Sequence, residues 1–252
     1  MVRERLQRLA GSALRRRRLD EPLDWLRFRL DTFPSSGRLN TVYQPMPALG
    51  LEAAKRGAGT MTRWAAIRDE VRVREARTAL DVGSNRGFFM LELAALGIAT
   101  VGVESDPPAY RSAIYAIRRA KLQNAGVLVL AVDPSNVGLL PRCDSVLCLS
   151  LWHHFVHEHQ LDGATSILEA LWDRTRRVLF FDTGENEMPP SFGLPPMTPD
   201  PRTWLGEYLA RTCASGEVVH LGEHDAFGPG DRPCRRNLFA VRRPGLSAAG
   251  AD

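Results

Sequence analysis

Hydrophobic and polar positions change period along this chain. Between residues 79 and 182, apolar runs of strand length take turns with longer stretches of helical spacing. "TALDV", "ATVGVE", "VLVLAV", "DSVLCLSL" and "RVLFFD" read as five strands. "FFMLELAAL", "AYRSAIYAIRRAKL" and "GATSILEALWDRT" read as helices between them. Strands without internal alternation require cover on both faces, which predicts an α/β fold with a doubly wound parallel sheet and right-handed crossovers.

After Asp182 the rhythm changes. A loop rich in Pro and Met, "TGENEMPPSFGLPPMTPDP", precedes a helix around "TWLGEYLARTC" and strands around "EVVHLGEH" and "NLFAVRR". The short link "DAFGPGDRPCRR" suits an antiparallel hairpin, so the expected architecture is a Rossmann-like, seven-stranded, mostly parallel sheet with an antiparallel last strand. Upstream, Leu6, Leu9 and Leu14, then Trp25, Leu26, Phe28, Leu30 and Phe33, predict two helices. Residues 34–60 read as an irregular connection, and "MTRWAAIRDEV" restores helical period. This divides the chain into a basic helical extension with its connection (1–60), an α/β domain (61–243) and a disordered tail (244–252).

At 252 residues and 44% hydrophobic, the chain supports one substantial core. No stretch approaches the roughly 18 consecutive apolar residues of a membrane-spanning helix, and arginines stand where a signal peptide would be apolar, so a cytoplasmic protein is expected. Cys143, Cys148, Cys213 and Cys234 form no Cys-x-x-Cys pair and read as reduced thiols. The net charge of +4 is uneven: residues 1–18 hold seven Arg and one Glu, leaving an acidic balance elsewhere. The body is therefore no basic nucleic-acid platform. The run Arg15 to Arg18 is either a solvated helix end or a contact for RNA, acidic lipid or another polyanion.

In such a sheet the ligand crevice lies beyond the carboxyl ends of the strands, which directs attention to "LDVGSNRGFF" after the first strand. Gly83 can take positive φ, Asn85 is the non-glycine residue best able to follow it, and Gly87 lets the next helix approach. The spacing departs from the G-x-G-x-x-G of a dinucleotide turn. Glu104, ending the second strand, is placed to accept hydrogen bonds from both ribose hydroxyls of an adenosine.

These residues resemble the class I S-adenosylmethionine-dependent methyltransferases over about residues 79–243, with the first motif D-x-G-x-G-x-G present as "DVGSNRG". Asn85 departs from the commonest glycine there, and the terminal strand pair also matches. The resemblance implies S-adenosylmethionine as cofactor. Asp81, Gly83, Ser84, Asn85 and Gly87 would hold its methionine end, and Glu104 its ribose. Asp133 stands where the family meets the adenine amino group; alone it reads equally as a turn residue before Pro134.

The fourth strand ends in "LSLWHHF", whose carboxyl end should lie beside the transferable methyl group. By resemblance, Ser150 and Leu151 would touch the cofactor and Trp152 the acceptor, with His153 and His154 as catalytic candidates. One or both histidines can act as general base; each can equally cap or pack beneath a helix. The loop 185–199 follows the fifth strand on the ligand side, so Glu185, Glu187, Phe192 and Met197 are candidates for an acceptor lid, the alternative being a passive surface loop. The histidines cluster at 153–159 and at His220 with His224, but match neither His-Glu-x-x-His nor the metal-dependent small-RNA 3′-end methyltransferases, so no metal is expected. The favoured reaction is O-methylation of a small-molecule, sugar or glycolipid hydroxyl. An RNA acceptor and a non-catalytic cofactor-binding protein are the alternatives.

Overall fold

The computed structural model describes Leu26, Phe28, residues 44–51 and residues 57–245. The Arg15 to Arg18 run and the tail beyond residue 245 lie outside the described residues; so do the two N-terminal helices, except for Leu26 and Phe28, which are helical. The main elements run α1 (Gly57–Val73), β1 (Thr78–Val82), α2 (Phe88–Ala95), β2 (Ala99–Glu104), α3 (Pro107–Ala120), β3 (Ala125–Val129), β4 (Cys143–Leu149), α4 (Trp152–Arg174), β5 (Thr175–Asp182), α5 (Pro201–Thr212), β6 (Glu217–Phe227) and β7 (Pro233–Arg242). One sheet of order β3-β2-β1-β4-β5-β7-β6 contains all seven strands. β1 to β5 pair in parallel, whereas β7 is antiparallel to both β5 and β6. The order reverses beside β1, which opens a crevice there.

Successive residues on the central strands face opposite sides of the sheet, and both sides are buried. Leu80, Val146, Cys148, Leu179 and Phe181 pack against Trp152, Ile167 and Leu168 of α4 and Leu205 and Leu209 of α5. Ala79, Leu147, Val178 and Phe180 face Trp64, Ile67 and Val71 of α1 and Phe88, Phe89 and Leu93 of α2. A third cluster joins Met90, Leu91, Ala113, Ala116 and Ile117 to Phe28 and Met46 from the segment before α1.

Three boundaries differ from the sequence reading. β3 covers Ala125–Val129 instead of 127–132, and as an edge strand it leaves Leu128 and Val129 exposed, so cover on both faces does not extend to it. The helix expected to begin near Gly163 starts at Trp152, because Trp152, Phe155 and Val156 already follow the i, i+3, i+4 spacing of one buried face. It breaks at Gln160, where φ is 61°. The division at residues 60 and 61 falls inside α1, whose hydrogen-bonded ladder crosses it.

α1 lies very close to β6. A Cβ on Gly59 would sit 1.7 Å from the carbonyl oxygen of Asp225, a distance only glycine permits. Gly59→Ala is therefore expected to destabilise the protein by at least about 1–3 kcal/mol, the usual cost of overpacking. Urea unfolding measures it; a midpoint equal to wild type would show that α1 does not dock this tightly.

Candidate active site

The chain turns sharply after β1. Gly83 (φ 70°), Asn85 (φ 51°) and Gly87 (φ 85°) all occupy the left-handed region, as the spacing of small and amide residues requires. The amides of Gly83 and Ser84 both donate to Val103 O, at 2.9 and 3.0 Å, tying the bend to the end of β2. At Gly83 an added Cβ would lie 2.9 Å from Cδ2 of Leu151, so the glycine also admits the turn after β4.

Glu104 spans two loops with one carboxylate. Its Oε2 accepts the Asn85 N–H at 2.6 Å and its Oε1 the Asp106 N–H at 2.7 Å. Asp81 is 3% exposed, and its Oδ2 has no hydrogen-bond partner. Burial raises its pKa to about 7; a hydrogen bond from the Met90 backbone opposes the shift, and the Glu104 charge adds to it.

Sequence reasoning missed an ion pair at the ends of β4 and β5. Arg63, from α1, donates through Nη1 to Asp182 Oδ2 at 2.6 Å and reaches Ser150 Oγ at 3.4 Å. Asp182 Oδ1 in turn accepts the Ser150 N–H at 2.6 Å and its hydroxyl at 2.9 Å. These bonds hold Ser150 at φ 53°, an unfavourable angle for serine. The guanidinium also lies 5.6 Å from the centroid of the Phe89 ring.

These groups surround one cavity of about 350 Å³. Of the residues singled out in the sequence, Asp81, Gly83, Ser84, Asn85, Glu104, Ser150, Leu151 and His154 line it. Gln44, Arg63, Phe89, Phe155 and Glu158 line it as well, and Leu130, Ala131 and Val132 extend the wall from the end of β3. Gly87 stands just behind the bend, outside the lining.

The other candidates lie elsewhere, each for a physical reason. Asp133 closes its own turn: Oδ1 accepts the Ser135 N–H and hydroxyl and the Asn136 N–H, and these bonds hold its pKa below the usual carboxylate range. Trp152 is fully buried against Tyr208, to whose hydroxyl its indole N–H donates at 3.1 Å, so it belongs to the core and not to an acceptor surface. His153 is buried and accepts the Gly184 N–H on Nδ1 at 2.9 Å. That bond fixes the neutral ring as the Nε2–H tautomer.

Glu185 and Glu187 anchor the loop after β5 to β7 instead of facing the cavity. Glu185 accepts the Asn237 backbone and side-chain N–H groups, and burial raises its pKa to about 7. Glu187 accepts the Glu185 N–H at 2.9 Å and pairs with Arg236 at 2.8 Å. Met197 is core, whereas Phe192 rests on the histidines, with ring centroids 5.7 Å from both His153 and His154 and 4.9 Å from His157. Burial lowers the pKa of His154, against an opposing effect from Glu158.

Whether an adenosyl ligand suits this cavity can be tested on its polar atoms. Asp81 Oδ2, Ser84 Oγ and Gln44 Oε1 are buried without partners, yet all three residues line the same space. Of the eight buried polar side-chain atoms without partners among the described residues, these three belong to residues lining one cavity, which fits a polar ligand. The left-handed bend and a carboxylate with lone pairs to spare fit an adenosyl compound with an amino-acid end.

No family model matches the chain, and no curated protein matches it in sequence. Solved structures do. The crystal structure of WbdD, elsewhere described as a bifunctional kinase-methyltransferase, superposes with a TM-score of 0.62 at 22% identity, covering 79% of this chain and 44% of that one. Magnesium protoporphyrin IX methyltransferase (ChlM) from Synechocystis PCC 6803, solved with bound S-adenosylmethionine, matches with a TM-score of 0.52 at 12% identity over 73% of this chain and 80% of that one. The N-terminal domain of EvdMO1, solved in the presence of S-adenosylhomocysteine and D-fucose, matches with a TM-score of 0.51 at 18% identity over 71% of this chain and 82% of that one. The fold is thus that of the class I S-adenosylmethionine-dependent methyltransferases. This chain spans less than half the length of WbdD. Among the described residues no helix is long and apolar enough to cross a membrane.

Removing Asp182 would leave the Arg63 cation buried without its carboxylate and release Ser150. Asp182→Ala is expected to cost about 3–5 kcal/mol of folding stability, as for other broken buried pairs. Chemical denaturation reads this directly, and a loss below about 1 kcal/mol would show that the pair is effectively solvated.

Proposed function

We propose that this protein is a methyltransferase that uses S-adenosylmethionine to methylate a hydroxyl group of a small molecule or glycan. The observation that carries this reading is the cavity that Asp81, Gly83, Ser84, Asn85 and Glu104 line together, with a carboxylate oxygen of Asp81 left without a partner. The shared fold of ChlM, solved with bound S-adenosylmethionine, supports it.

Glu104 retains lone pairs on both oxygens after its two backbone bonds, enough for a pair of ribose hydroxyls. Asp81, once ionised, offers a buried negative charge to an ammonium group. Arg63, the one Lys or Arg in the cavity wall among the described residues, has its charge met by Asp182 and offers a carboxylate its remaining N–H donors. Leu130, Ala131 and Val132 supply a wall for a flat base.

Bound S-adenosylmethionine supplies a methyl group already activated by its sulfonium, so the protein's part is to align a nucleophile and remove its proton. His154 suits the second task. It lines the cavity, and burial keeps its imidazole neutral at pH 7. His153 acts differently, its Nδ1 occupied by Gly184, and serves to seat the turn beneath His154. His154 and Glu158, one helical turn apart on the same wall, suit an acceptor rich in hydroxyls. The D-fucose used with the EvdMO1 domain supports a sugar-like acceptor, and the scarcity of cations in the wall disfavours a phosphate backbone.

Calorimetric titration tests the cofactor: S-adenosylmethionine and S-adenosylhomocysteine should bind and NAD should not, and the reverse order would sink the assignment. A labelled-methyl screen over sugars, metabolites and tRNA tests the acceptor, with label in tRNA alone contradicting a small-molecule hydroxyl.

An ammonium ligand favours the ionised form of Asp81, so affinity should rise with pH up to about 7 and then level off. Below that point the loss should reach up to about tenfold per pH unit, and Asp81→Asn should flatten the profile. A wild-type profile already flat from pH 5 to 7 would remove Asp81 from the ligand. His154→Ala should lower kcat by about 10²-fold with cofactor affinity unchanged, measured at saturating acceptor; an equal kcat would mean that alignment alone suffices.

A further inference from the structure

The segment before α1 contributes to the cavity from outside the strand-and-helix alternation. Residues 44–51 fold into a small loop closed by a bridge between Met46 and Leu51, with N–H···O distances of 2.7 and 3.2 Å in the two directions. Gly50, at φ 68°, caps the turn within it. The loop is anchored by Met46, which is 1% exposed and packed among Met90, Leu91 and Ala113 where α2 and α3 meet. Phe28 enters the same cluster and stacks on Tyr115 at 4.8 Å between centroids.

Two residues before this anchor, Gln44 lines the cavity together with Asp81, Ser84 and Glu104. Its Oε1 is buried and accepts no hydrogen bond from the protein. A glutamine acceptor left dry in this way carries the full desolvation cost, unless a molecule in the cavity supplies the missing donor. The Met46 anchor limits how far the side chain can withdraw into solvent.

We infer that Gln44 is a ligand-binding residue and that the 44–51 loop is a strap completing the cofactor site, its Oε1 accepting a hydrogen bond from an N–H or O–H of the bound adenosyl compound. This rests on the cofactor reading above and extends the site into a region that the sequence assigns to an appendage. The chemistry required of the ligand is a donor: a nucleoside hydroxyl or amino group, or the ammonium of the amino-acid end.

The test uses the full chain, titrated by calorimetry with S-adenosylhomocysteine and with adenosine. Gln44→Leu, which keeps the volume and removes the acceptor, should weaken S-adenosylhomocysteine by about three- to tenfold at an unchanged unfolding midpoint. A parallel loss for adenosine places the donor on the nucleoside, and a loss confined to S-adenosylhomocysteine places it on the amino-acid end. Hydrogen exchange supplies a second readout: the ligand should slow exchange of the 44–51 amides in wild type and do so less in Gln44→Leu. If the wild type binds neither compound, the cofactor reading fails and the strap with it. If the wild type binds but Gln44→Leu binds equally well, or the 44–51 amides exchange at the same rate with and without ligand, the strap alone is overturned.

Discussion

Glu104 fastens the loop after β1 to the loop after β2 by receiving one backbone N–H from each. A charged acceptor shared between two amides is worth more than two neutral hydrogen bonds. It sits at the point where the sheet order reverses and no strand continues to hold the loops together. The bend at residues 83–87 therefore keeps its left-handed form through a long-range contact as well as its own glycines. The same carboxylate that ties the two loops also lines the cavity.

Much of this was legible in the residues. Apolar runs alternating with helical spacing identified the parallel sheet, because burial on both faces leaves little room for polar positions. The short link after residue 224 identified the hairpin. The left-handed bend at Gly83, Asn85 and Gly87 was legible because positive φ restricts the residue types that can stand there. Arg63 and Asp182 were not found as a pair, since they meet across 119 positions and nothing local links one to the other. Arg63 was also hidden in a chain that uses arginine for nearly all its basic positions. A carboxylate ending a buried strand, as Asp182 ends β5, was the one available signal.

The histidine segment shows how helical phase separates residue types that are adjacent in sequence. Trp152, His153 and His154 follow one another, yet the first turn of α4 sends the indole into the core, seats His153 on Gly184 and leaves His154 on the cavity wall. Without the helix start at Trp152 in view, the three could not be told apart. The acidic pair after β5 misled for a related reason. Glu185 and Glu187 stand on the ligand side in sequence, but the buried amides of Asn237 and the guanidinium of Arg236 offer them stronger partners.

The contact between Gly59 and Asp225 links regions that emerge from the ribosome far apart in time. Arg63 Nε donates to the Gly59 carbonyl, so its position at the cavity follows from where α1 rests on β6. β6 and β7 are the last strands to be made, and β7 must insert between β5 and β6. A nascent chain that has completed β1 to β5 thus already carries the glycine bend, Glu104 and the Asp182 partner of Arg63, but α1 lacks its support on β6 until the C-terminal hairpin is added. The support of the α1 wall of the cavity is in this sense completed late in biosynthesis.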